Sequence, residues 1–83
     1  MINPSRRAKF IWQCRRGMLE LDLILKHFVE NSLDTLSEEQ LESFDKLLSC
    51  NDVELFSWLM GYEQPMDREL INIVEHIKLH HRA

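Results

Sequence analysis

Apolar residues recur at three- and four-residue spacing along most of this chain, and no segment alternates apolar with polar residues long enough to argue for a strand. That period gathers side chains on one face of a helix. Punctuation is sparse, with two glycines and two prolines in 83 residues, and it cuts the pattern into about five helical segments. A chain of this length can bury one core but not two. The expectation is an all-α fold, a compact single-domain bundle of about five helices spanning residues 1–83.

Asn3 and Pro4 open the first segment as N-cap and first helical residue, and the helix is expected to run towards Cys14 with Ala8, Ile11 and Trp12 on its stripe. Gly17 interrupts the pattern. Leu21, Ile24, Leu25 and Phe28 resume it on a second helix reaching about Glu30. Ser37, Gln40 and the flanking Leu36 and Leu41 spell a capping box with a hydrophobic staple, which starts a third helix with Leu41, Phe44, Leu47 and Leu48 inward. A short fourth helix begins near Asn51, carries Asp52 and Glu54 in its first turn, and stops at Gly61. Pro65 or Asp67 opens the last, with Leu70, Ile73, Val74 and Ile77 as its stripe. Short connections near 31–36, 49–51 and 61–66 favour antiparallel neighbours.

The net charge of −4 hides an asymmetry. Arg6, Arg7, Lys9, Arg15 and Arg16 fall in the first sixteen positions, where no acid occurs, so the remaining five cations face all fourteen acids and that part carries −9. Most of the surface should repel nucleic acid, which argues against a nucleic-acid partner and leaves a basic patch for some other one. The apolar runs are only a few residues long, so neither a signal peptide nor direct membrane insertion is expected, and the chain is expected to be cytoplasmic. Cys14 and Cys50 make no metal-ligand spacing and are expected to be reduced, partly buried thiols.

Candidates for chemistry are few, and no catalytic, cofactor-binding or metal-ligating residue is assigned. His76 and His80 stand four apart on the last helix, with Glu75 and His81 nearby, but no third ligand shares their register and a solvated helix end is the preferred reading over a metal site. His27 sits beside the stripe of the second helix without a nucleophile partner. Ser43, Ser49 and Ser57 lack a nucleophile elbow, and two isolated glycines make no phosphate loop. Glu38, Glu39, Glu42 and Asp45 read as a solubilising face, and Trp58, Met60 and Tyr62 as core or its edge. A binding protein, not an enzyme, is the expectation.

The stretch from Arg15 to Asp22 stands apart, because it gathers two guanidinium groups, a glycine and two carboxylates at a helix junction. Two readings are open. In one, Arg16 and Glu20 pair at four-residue spacing beside a glycine hinge, worth only a few tenths of a kcal/mol. In the other, Gly17 lets a partner's backbone approach while Arg16 forks onto an acceptor and Glu20 takes a donor.

The run Trp12-Gln13-Cys14-Arg15-Arg16-Gly17-Met18-Leu19-Glu20-Leu21-Asp22 resembles the RGxxE signature of the SdhE (YgfY) family of succinate dehydrogenase flavinylation factors. Asp52-Val53-Glu54-Leu55-Phe56-Ser57-Trp58-Leu59-Met60-Gly61 resembles that family's D-x-x-L-F-x-W-L segment. The resemblance implies a chaperone-like assembly factor that binds the flavoprotein subunit of succinate dehydrogenase or fumarate reductase and promotes covalent attachment of FAD to it. The implied contact residues are Arg16, Gly17 and Glu20, with Arg15 and Asp22 beside them. It also implies no cofactor held stably by this chain, since FAD is attached to the partner. An antitoxin-like regulatory protein-binding module is the alternative.

Overall fold

The computed structural model describes residues 3–82, with side chains to residue 80. Among the described residues five α-helices follow one another: α1 (Pro4–Gln13), α2 (Leu19–Ser32), α3 (Glu38–Leu48), α4 (Asp52–Leu59) and α5 (Arg68–Arg82). The expected all-α bundle is therefore found, with one addition: a single 3₁₀ turn, Leu33–Thr35, continues directly from α2. It buries Leu33, so the connection serves the core as well as the turn.

Local rules set most of the helix ends. The Asn3 side chain accepts the Ser5 N–H at 2.7 Å. At α3 the capping box closes in both directions: the Gln40 N–H donates to Ser37 Oγ at 3.1 Å, and the Ser37 N–H to Gln40 Oε1 at 2.9 Å. Asn51 caps α4 through the Glu54 N–H at 2.8 Å. Asp67 starts α5, accepting the Glu69 N–H at 2.9 Å while its other oxygen meets Lys46 Nζ at 2.6 Å and ties α5 to α3.

The long α5 packs across α2, α3 and α4, and α1 lies against α2. Phe44 of α3 joins the layers, its ring 5.3 Å from Phe10 of α1 and 5.3 Å from Phe28 of α2. Leu21, Leu25, Leu47, Leu55 and Ile77 complete the most deeply buried set. The inward faces expected for α2, α3 and α5 are all buried, and Trp58 joins them, whereas Tyr62 stands exposed.

The stripe expected for α1 is not the buried one. Ala8, Ile11 and Trp12 face outward, and Phe10 and Cys14 are inside. Phe10 offers far more apolar area than Ala8. It is flanked by Arg6 and Arg7, which pair with Glu38 at 2.7 Å and Asp34 at 2.8 Å. Acids on the neighbouring elements thus accept both arginines in this orientation, a small addition to the burial of Phe10.

Candidate functional site

Helix α1 ends at Cys14, whose N–H still reaches the Phe10 and Ile11 carbonyls, and the Arg15 N–H closes a last turn on Trp12 at 3.2 Å. Gly17 then adopts φ +86°, a left-handed conformation that glycine enters without a Cβ penalty. A Cβ built there meets nothing within 4 Å, so the space over this turn is open.

Helix α2 begins without a side-chain cap at Met18. Asp22 supplies the acceptors from one turn further on: its two oxygens take the Arg16 N–H at 2.8 Å and the Gly17 N–H at 3.1 Å. One carboxylate therefore pins both peptides of the turn, close to the positive end of the α2 dipole. Asp22 serves from beneath the surface.

Arg16 also points inward, with only 17% of its side chain exposed. One guanidinium nitrogen donates to Asp52 Oδ1 at 3.3 Å and another to the Leu48 carbonyl. Leu48 ends α3, where carbonyls lack helical partners, and Asp52 opens α4, so the cation sits at the negative end of one helix and against an acid of the next. The Arg16–Glu20 pair weighed from spacing does not form: α2 starts at Leu19, leaving Arg16 outside the helix that would have brought them together.

Arg15, Gly17 and Glu20 are exposed. Around them the surface is apolar, with Leu19 75%, Trp12 72% and Leu23 55% exposed. Met18 packs against the core, whereas Leu19 does not. A groove of about 210 Å³ runs between α1 and α2, lined by Ile11, Cys14, Arg15, Asp22, Lys26, Val29 and Glu30. The Cys14 thiol at its base is pushed up to about 12 by burial, so it stays protonated and unreactive at neutral pH.

The chain matches the family model described as flavinator of succinate dehydrogenase over residues 8–81, which covers α2, α3 and α4, all but the last residue of α5 and the C-terminal part of α1. The chain belongs to that family. It is 51% identical over 77 residues to the FAD assembly factor SdhE of Legionella pneumophila, covering 93% of this chain and 96% of the relative. It is 42% identical over 79 residues to the FAD assembly factor SdhE of Yersinia pseudotuberculosis, covering 95% and 90%. To the FAD assembly factor SdhE of Idiomarina loihiensis it is 48% identical over 73 residues, covering 88% and 79%.

In this flavinator-family chain the motif residues divide by direction. Arg15, Gly17 and Glu20 face solvent, while Arg16 and Asp22 hold the turn from below. Residue spacing did not reveal Trp12 and Leu23 as surface beside the motif, nor Asp52 as the partner of Arg16. The first two depended on which face of α1 and α2 is buried, and the last on a contact 36 residues away in sequence. The histidines of the metal alternative belong to the core edge. His76 and His80 lie 5.7 and 5.8 Å from the Phe28 ring, and His80 Nδ1 is 3.0 Å from Ser32 Oγ. The His81 side chain lies outside the described residues.

Proposed function

We propose that this chain is an FAD assembly factor that binds the flavoprotein subunit of succinate dehydrogenase, and that of fumarate reductase, and promotes covalent attachment of FAD to a histidine of that subunit. The observation that carries the reading is the Gly17 turn: open above, braced below by Asp22, and flanked by exposed Arg15, Leu19 and Glu20. Such a turn gives a partner's backbone room to approach and two charges of opposite sign to register on.

The factor acts by positioning. It holds a mobile part of the flavoprotein in the arrangement where FAD and the accepting histidine are aligned, which raises the bond-forming rate without a catalytic residue on this chain. FAD is the partner's cargo and is not held stably here. The work is cytoplasmic and involves neither nucleic acid nor membrane insertion. Consistent with this, Arg6, Arg7 and Arg16 are each paired with an acid, which leaves little of the N-terminal cation cluster free to meet phosphates.

Co-expression of the flavoprotein with the wild-type chain, Arg15→Ala or Glu20→Ala, read by in-gel flavin fluorescence, tests the proposal. Wild type should raise covalent flavin, and both variants should remain folded yet give less. Equal covalent flavin with and without the factor would sink the reading.

A further inference from the structure

Two segments separated along the chain, the RGxxE run and the segment opening at Asp52, meet at one contact. The Arg16 guanidinium bridges Asp52 Oδ1 at 3.3 Å and the Leu48 carbonyl, while Arg16 Nε is buried without a hydrogen-bond partner. Its backbone N–H is held by Asp22. With these restraints, the arginine of the motif has its head group committed to the corner between α3 and α4, and the rigid planar fork fixes direction as well as distance. The peptide that follows is the Gly17 turn.

We propose that Arg16 and Asp52 form a positioning pair that sets the angle of the Gly17 turn against the α3–α4 corner, so that Asp52 governs affinity for the flavoprotein without touching it. This rests on the proposed function only in naming the flavoprotein as what the turn meets. Arg16 is then a positioning residue, and the outward contacts are left to Arg15, Gly17 and Glu20. The Asp52 carboxylate is 40% exposed, so its removal leaves no large cavity and should spare the fold.

The test compares the full-length chain with Asp52→Ala, Arg16→Ala, the double variant and Asp52→Glu. Binding to purified flavoprotein subunit is read by calorimetry, and exchange of the Arg16 and Gly17 amides by NMR of the free chain. Asp52→Ala should weaken binding on the order of tenfold, and the double variant should bind within about twofold of Arg16→Ala alone, the non-additivity expected of groups in direct contact. Asp52→Glu, which keeps the carboxylate, should recover most of the affinity, a rescue that a loss of bulk stability does not give. In the free chain, Asp52→Ala should speed exchange of both amides.

Wild-type affinity in Asp52→Ala alongside weak binding in Arg16→Ala would overturn the proposal, because Arg16 would then contact the flavoprotein itself. Strictly additive losses would overturn it too. If the wild-type chain failed to bind the flavoprotein, the proposed function would fall, and amide exchange would still decide the pair: unchanged protection in Asp52→Ala refutes it, and faster exchange upholds it. Should Asp52→Ala not fold, Asp52→Asn carries the same comparisons.

Discussion

Two glycines of nearly equal, positive φ provide a controlled experiment on the turn. Gly17 has φ +86° and Gly61 φ +84°. A Cβ at Gly17 meets nothing within 4 Å, and one at Gly61 meets only Lys78 Nζ at 3.8 Å, an ordinary contact. Alanine at either position therefore costs left-handed strain and little else, roughly 1–2 kcal/mol. In a domain of this size each kcal/mol lowers Tm by about 4–8 °C. The two variants should lose similar stability in urea unfolding, with unchanged m-values.

Their functional effects should differ. At Gly17 the new methyl fills open space in which the proposed function places the flavoprotein's backbone, and overpacking of a close contact costs about 1–3 kcal/mol, or roughly 5- to 150-fold in affinity. Gly61 lies beyond the far end of α4 from the Asp52–Arg16 contact. Covalent flavin would be titrated against factor concentration at matched folded protein. Gly17→Ala should shift the curve to higher concentration, and Gly61→Ala should overlay wild type. Identical shifts in both, or none in Gly17→Ala, would refute the reasoning, since stability alone would then explain the glycine.

The Asp67 carboxyl lies below its ordinary value of 3.8, chiefly because Lys46 donates to it and secondarily because the Glu69 N–H does. A depressed folded value means its contribution is full above 3.8 and is lost as the pH falls through the folded value, so Asp67→Ala should flatten acid destabilisation below about pH 4; an unchanged acid slope would exclude it. At pH 8 a neutral alkylating reagent should modify half-buried Cys50 in the native chain and reach Cys14 only on unfolding; native labelling of Cys14 at the rate of Cys50 would contradict its burial. Trp12→Ala should leave Tm within a few degrees, because the ring is 72% exposed, yet lower flavoprotein binding; wild-type binding would place Trp12 outside the contact surface.

What the sequence made legible was local. Ser37 with Gln40, Asn51 before Asp52 and the stripe Leu70, Ile73, Val74 and Ile77 each act within one or two turns of helix, and all lie where spacing placed them. The face of α1 was not legible, because Ala8, Ile11 and Trp12 and the competing Phe10 and Cys14 both satisfy helical spacing. Phe10 packs against Phe44 of α3, and the pairs of Arg6 with Glu38 and Arg7 with Asp34 accompany that orientation; none of these partners lies in any pattern within α1. Arg16 presents the same limit more sharply. Its i+4 neighbour Glu20 was the only partner that spacing could offer, but Asp22 and Gly17 delay the start of α2 to Leu19 and free the guanidinium for a distant acid.

On the proposed function, the size of a specific interface makes the motif part of the contact and not the whole of it. A standard interface buries about 800 Å² on each partner and draws on roughly 20–30 residues a side. Against 5517 Å² of accessible surface, that is about a seventh of this molecule. Arg15, Gly17 and Glu20 cannot supply such an area, one of them having no side chain at all. The neighbouring surface on α1 and α2 carries exposed Trp12, Ile11, Leu19 and Leu23, and buried aromatic anchors with apolar surroundings provide most binding energy where charges mainly set register. The outward turn of Ile11 and Trp12 follows from the inward choice of Phe10 and supplies apolar area to the proposed contact. On the proposed function, burial of Phe10 closes the core and turns the opposite face of α1 towards the flavoprotein.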